Sequence, residues 1–70
     1  MTAPNIHVVL TAHNGWAVEV EGTDGATSHY PSLLEAVAAG EQKARLDGVE
    51  LFIHGEDGAV RRHHDFRAKD

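Results

Sequence analysis

The chain has no cysteine among its 70 residues, so neither a disulfide nor a thiolate zinc site is open to it. No apolar run approaches the roughly 20 residues of a membrane-spanning helix. The start, MTAPNIHVVL, lacks both the charged n-region and the apolar h-region of a signal peptide. Cations are few, six Lys and Arg against eleven Asp and Glu, and the net charge of −5 repels a phosphate backbone on average. These absences set the expectation of a soluble, cytoplasmic protein with no membrane partner. Large apolar side chains are also scarce. Apolar residues make up 41% of the chain, but ten of them are Ala. The core is therefore thin, and a domain of this size often gains stability by self-association. The length fits a single domain over residues 1–70, with fraying expected over 1–4 and 67–70.

What is present is alternation. Asn14-Gly15 lies between two alternating runs, a strong hairpin signal. A two-residue Asn14-Gly15 turn would mix apolar and charged residues on both faces. A three-residue loop, His13-Asn14-Gly15, sorts them. It sets Leu10 against Val18 and Val8 against Val20. One face then carries Ile6, Val8, Leu10, Ala12, Trp16, Val18 and Val20, and the other His7, Val9, Thr11, Ala17, Glu19 and Glu21. This is the pattern of an antiparallel sheet with one buried face. The same logic at Thr23-Asp24-Gly25 pairs Val18 with Tyr30 and makes Ala26–Tyr30 a short third strand.

Pro31-Ser32-Leu33-Leu34-Glu35 is a helix start, with Ser32 as the cap and Glu35 three residues on. Gly48 suits a left-handed C-terminal cap. The helix spans about Leu33 to Leu46, with Leu33, Ala36, Val37, Gly40 and Ala44 on one stripe. Gly40 costs about 1 kcal/mol against Ala inside a helix. Two readings stay open for it: a close approach of helix to sheet, over the Trp16 ring, or a glycine with no packing role. Val49 to His54 alternates again, with Val49, Leu51 and Ile53 inward and Glu50, Phe52 and His54 outward. A two- or four-residue turn within Gly55–Gly58 places Val60 beside the Ile53 row, followed by Arg62, His64 and Phe66. The expected architecture is α+β, in the order β-β-(β)-α-β-β, with one helix on one face of a mostly antiparallel sheet. Strand order is left open.

Three stretches carry a resemblance: NGWAVEVEG, the Ser32…Glu35-Ala36 helix entry, and GVELFIHGEDGAVR from Gly48 to Arg61. Over Trp16 to Phe66 the chain resembles a small bacterial family catalogued as domain of unknown function 2188. Lys43 and Gly40 depart from the apolar residue and the Ala more usual there, and both thin the helix stripe. The resemblance supports the element order and implies no activity, substrate or catalytic residue.

The chemistry on offer is sparse. No Gly-x-Ser-x-Gly, phosphate loop or carboxylate–histidine motif occurs, and one sheet with one helix encloses little concave volume, so no enzyme and no cofactor are expected. Six His is a high count. His54 and His63 share the outer face, where two imidazoles bind a divalent metal only weakly, and a zinc site normally has three or more protein ligands. No metal site is therefore assigned, and solvated histidines are the plainer reading. Arg61, Arg62, Arg67 and Lys69 make the end of the chain basic, and Phe52 beside Arg61 offers a base something to stack on. A weak nucleic-acid contact through the last strand is thus the alternative function. The preferred expectation is a small protein-interaction or self-associating module, a homodimer included. Its contact residues on the face away from the helix are Val9, Ala17, Phe52, His54, Arg61 and His63.

Overall fold

The structure, a computed structural model, describes residues 4–11, 15–22 and 27–67. Five strands and one helix follow in the order β1 (Ile6–Leu10), β2 (Trp16–Val20), β3 (Thr27–Tyr30), α1 (Leu33–Asp47), β4 (Glu50–His54) and β5 (Val60–Asp65). The sheet order is β3-β2-β1-β4-β5. Every pair is antiparallel except β1–β4, which is parallel. The fold is α+β, as the alternation predicts. The three more apolar strands, WAVEV, IHVVL and ELFIH, take the interior, where both edges are paired. TSHY and VRRHHD take the edges, where polar side chains discourage further pairing.

The faces match the expected ones, but the partners do not. Leu10 lies against Trp16 and Val8 against Val18, two residues away from the expected register. The Thr11 N–H donates to the Gly15 carbonyl at 2.8 Å, which leaves residues 12–14 between them instead of 13–15. Residues 12–14 lie outside the described residues. The second hairpin moves in the same way, with Val18 opposite Ser28 and Trp16 opposite Tyr30. Its expected loop, 23–25, also lies outside the described residues. Of the ends expected to fray, 1–3 and 68–70 lie outside them too. Within the described residues Arg67 is ion-paired to Asp65.

Ser32 caps α1 by accepting the Glu35 N–H, and the Glu35 carboxylate meets the Ser32 hydroxyl at 3.3 Å. At the other end Gly48, with φ +66°, closes the helix, and the N–H groups of Gly48 and Val49 both reach the Ala44 carbonyl. This is the six-to-one closure that a left-handed residue permits. Ala36, Gly40 and Ala44 form the buried row. Leu33, expected on the stripe, is 40% exposed. Lys43 stays outside and pairs with Asp47 at 3.5 Å, one turn on.

Gly40 proves to be a close approach, although not to Trp16. A Cβ there would lie 3.1 Å from both Leu51 Cδ1 and Val8 Cγ2. Below the helix the core comprises Ile6, Val8, Val18, Leu51 and Ile53 from the sheet and Val49 just before β4, with half-buried Trp16, Val20, Tyr30 and Phe66 at its rim.

The last hairpin corrects a second expectation. The Gly55 N–H donates to the Ala59 carbonyl at 2.8 Å, so the loop is the three-residue Glu56-Asp57-Gly58. A bulge between Ile53 and His54 absorbs one residue: Ile53 pairs with Arg62, yet His54 pairs with Val60. Val60 therefore leaves the Ile53 row and is 51% exposed, while Arg62 and His64 keep the expected inner positions. His64 lies opposite Leu51, and its Nε2 is buried with no hydrogen-bond partner among the described residues. A buried polar atom left unpaired costs about 1–3 kcal/mol. Replacing His64 with leucine should therefore raise the unfolding free energy by about 1 kcal/mol in urea titration. A loss of stability would show that the ring nitrogen is satisfied.

Candidate functional site

The helix covers one face of the sheet. On the other, β1, β4 and β5 bring His7, Phe52 and His63 into one cross-strand row, with His7 opposite Phe52 and Phe52 opposite His63. Their rings stack. The centroids of His7 and Phe52 are 5.0 Å apart at 18°, and those of Phe52 and His63 are 4.7 Å apart at 11°. A carboxylate holds each outer ring. Glu21 Oε2 lies 2.6 Å from His7 Nε2, and Glu50 Oε1 lies 2.9 Å from His63 Nε2. The row thus reads acid, imidazole, phenyl, imidazole, acid.

Glu50 is fixed from below. Its N–H donates to Asn5 Oδ1 at 3.0 Å, and the Asn5 carbonyl in turn accepts the Glu21 N–H. Asn5 therefore links β4 to the end of β2 at the edge of the row. His54 belongs to a branch. Its Nε2 lies 2.9 Å from His7 Nδ1, and its Nδ1 lies 2.9 Å from the Gly58 carbonyl.

The expected contact residues fare unequally. Phe52 and His63 are joined in the row, and His54 is joined to it through His7. Val9 sits one pair along β1, half-buried, opposite Ala17. Ala17 is on this face but only 1% exposed, which removes it as a contact residue. A methyl group is too short to reach past its neighbours. Arg61 occupies the bulge and pairs with Asp57 at 3.2 Å, away from the row. His54 meets His7 rather than His63, so the two-imidazole metal arrangement is not assembled. Among the described residues no three His, Asp or Glu are grouped to hold a metal ion. Alternation alone puts His7 on this face. What it does not reveal is that β4 lies beside β1, and that adjacency creates the row.

The covered faces of Phe52 also matter. His7 and His63 occupy both sides of its ring, so a nucleobase finds no free face to stack on. Two of the basic residues near the end of the chain, Arg61 and Arg67, are already paired with acids. The Arg67 guanidinium donates two hydrogen bonds to Asp65, at 3.0 and 2.9 Å. Those bonds, then the charges of Asp65 and Glu50, hold its guanidinium above the usual arginine range. Elsewhere a shallow hollow of about 280 Å³ lies between Tyr30 and α1, lined by Ala39, Gln42, Lys43, Leu46 and Asp47. Its Lys43 and Asp47 are paired with each other.

The model of the family described as uncharacterised protein conserved in bacteria, domain of unknown function 2188, matches residues 6–66. The chain belongs to this family. The match spans every strand, the helix and both acids of the row, so the site lies within the family domain. No curated protein and no solved structure matches the chain. No helix among the described residues is long and apolar enough to cross a membrane.

Proposed function

We propose that this member of the family is a small, non-enzymatic interaction module of the cytoplasm that binds a second copy of itself through the open face of its sheet. One observation carries the reading: α1 covers one face, while the His7–Phe52–His63 row and Val9 lie on the other with no described element over them. Two further features support it. The core is thin, with two alanines and a glycine along the helix row, and small domains of this kind gain by burying more surface. The sheet edges are poor docking sites, since β3 is four residues long and β5 is bulged and charged. The nucleic-acid reading has less behind it, because Arg61 and Arg67 already face acids and Phe52 is enclosed.

Sedimentation velocity over a rising micromolar series tests the proposal. The expected result is a concentration-dependent dimer, lost in both Val9→Lys and Phe52→Lys, each first shown to be folded by circular dichroism. A monomer at every concentration overturns it, and so does a dimer that both substitutions leave intact. Retention of labelled DNA at low salt would favour the basic strand instead.

A further inference from the structure

Three hydrogen bonds run in series on the open face: Glu21 to His7, His7 to His54, and His54 to the Gly58 carbonyl, at 2.6, 2.9 and 2.9 Å. Both ends of the series are acceptors, a carboxylate and a carbonyl. Every ring nitrogen in between is used. Each link needs one hydrogen, so the series needs three. Two neutral imidazoles supply two.

We propose that His7 and His54 hold one shared proton beyond their neutral complement, and that this proton makes a continuous strap from β2 to the β4–β5 turn. The count leaves no other way to complete all three links with Glu21 ionised. Placing the third hydrogen on Glu21 gives the same total. If one proton leaves, a nitrogen lone pair faces another lone pair or an oxygen, and one link opens. If one proton is added, both facing nitrogens, His7 Nδ1 and His54 Nε2, carry hydrogens, and the middle link opens. The strap is complete in one protonation state and broken in the states on either side.

The surroundings fit a bound proton. Glu19 on β2 is the cross-strand partner of His7 and puts a second acidic residue in the same row. From β4 the neighbours are the neutral Phe52 and, further along, Glu50. From β5 they are Val60, opposite His54, and His63, which is separated from His7 by the Phe52 ring and engaged with Glu50. In the turn itself Asp57 is engaged with Arg61, and Glu56 is exposed. Gly58 and Ala59 are held locally by the Gly55 carbonyl and the Asp57 side chain, so the turn keeps its shape when the strap opens. What changes is its tie to the rest of the sheet. The strap forms whether or not the face binds a second copy.

Nitrogen-15 NMR of the histidine rings across pH tests the strap in the full chain. A coupling across the hydrogen bond between His7 Nδ1 and His54 Nε2 is expected in an intermediate pH range. Outside that range at least one link should be lost on each side, and the Gly58 and Ala59 amide signals should move in both steps. Glu21→Gln is the decisive variant. Its amide can donate to His7 Nε2, so two neutral imidazoles then complete the chain and the alkaline step should vanish. His7→Phe keeps a ring against Phe52, removes the middle link, and should replace the two steps at Gly58 and Ala59 by a single one, since His54 alone still bonds the Gly58 carbonyl. Absence of the coupling at every pH overturns the proposal. So does an alkaline step unchanged in Glu21→Gln, or a turn response unchanged in His7→Phe.

Discussion

Valine at position 40 should lower the unfolding free energy by about 3 kcal/mol, the upper part of the usual range for an overpacked core. The reason lies in the contact made by α1. A Cβ alone would already sit 3.1 Å from Leu51 Cδ1 and from Val8 Cγ2, closer than side chains normally pack. The Cγ atoms of valine would have to enter space that Leu51 and Val8 already fill. Leu51 can turn its terminal methyl aside. Val8 is β-branched, fully buried on a central strand, and has little freedom to give. The helix would have to lift, which would also part Ala36 and Ala44 from the sheet. Alanine is the informative control. It gains about 1 kcal/mol in helix propensity and loses a similar amount in crowding, so its stability should stay within about 1 kcal/mol of the parent. Urea titration of both variants tests the claim. A Gly40→Val protein as stable as the parent would mean that the helix does not rest on the sheet through this residue.

Removing the Phe52 ring has the second largest expected effect. Phe52→Ala should cost about 2 kcal/mol, less than the roughly 3–5 of a fully buried phenylalanine because this ring is half-buried. Stacking on two sides accounts for much of the loss, since each aromatic contact contributes about 0.5–1.5 kcal/mol beyond the area it buries. The loss should have a spectroscopic signature. His7 and His63 both lie against the phenyl faces, so their ring protons should shift together when Phe52 is removed. A cost below about 0.5 kcal/mol, the size of an ordinary surface substitution, would show that the row is only a set of neighbours.

The faces of the sheet were legible in the sequence because they depend only on odd or even spacing. A loop that shifts the register by two residues keeps that parity. Leu10 can therefore face Val18 or Trp16 with the same sorting, and the pattern cannot choose between them. Ser32, Glu35 and Gly48 announced the helix ends through their own local chemistry. The bulge at the end of β4 had no such signal, and it sent Val60 to the opposite side. Strand order did have one. Val9 and Phe52 are apolar residues on the outward face, which suits strands paired on both edges, whereas the arginines and histidines of β5 suit an edge. Following that signal would have set β1 beside β4 and brought His7 to Phe52. The neutral length of the Ala17 side chain hid its burial, because alternation reports direction and not reach.

The parallel seam between β1 and β4 also bears on how the chain emerges from a ribosome. β1 is made first and gains β2 almost at once. Its other edge must wait until β4 has been translated. At about 5–20 residues per second, the stretch from Val20 to His54 takes roughly 2–7 seconds. For that interval IHVVL, one of the two most apolar strands in the sheet, presents an open hydrogen-bonding edge to its surroundings. A strand paired on both edges in the native protein thus has one edge open while the chain is made.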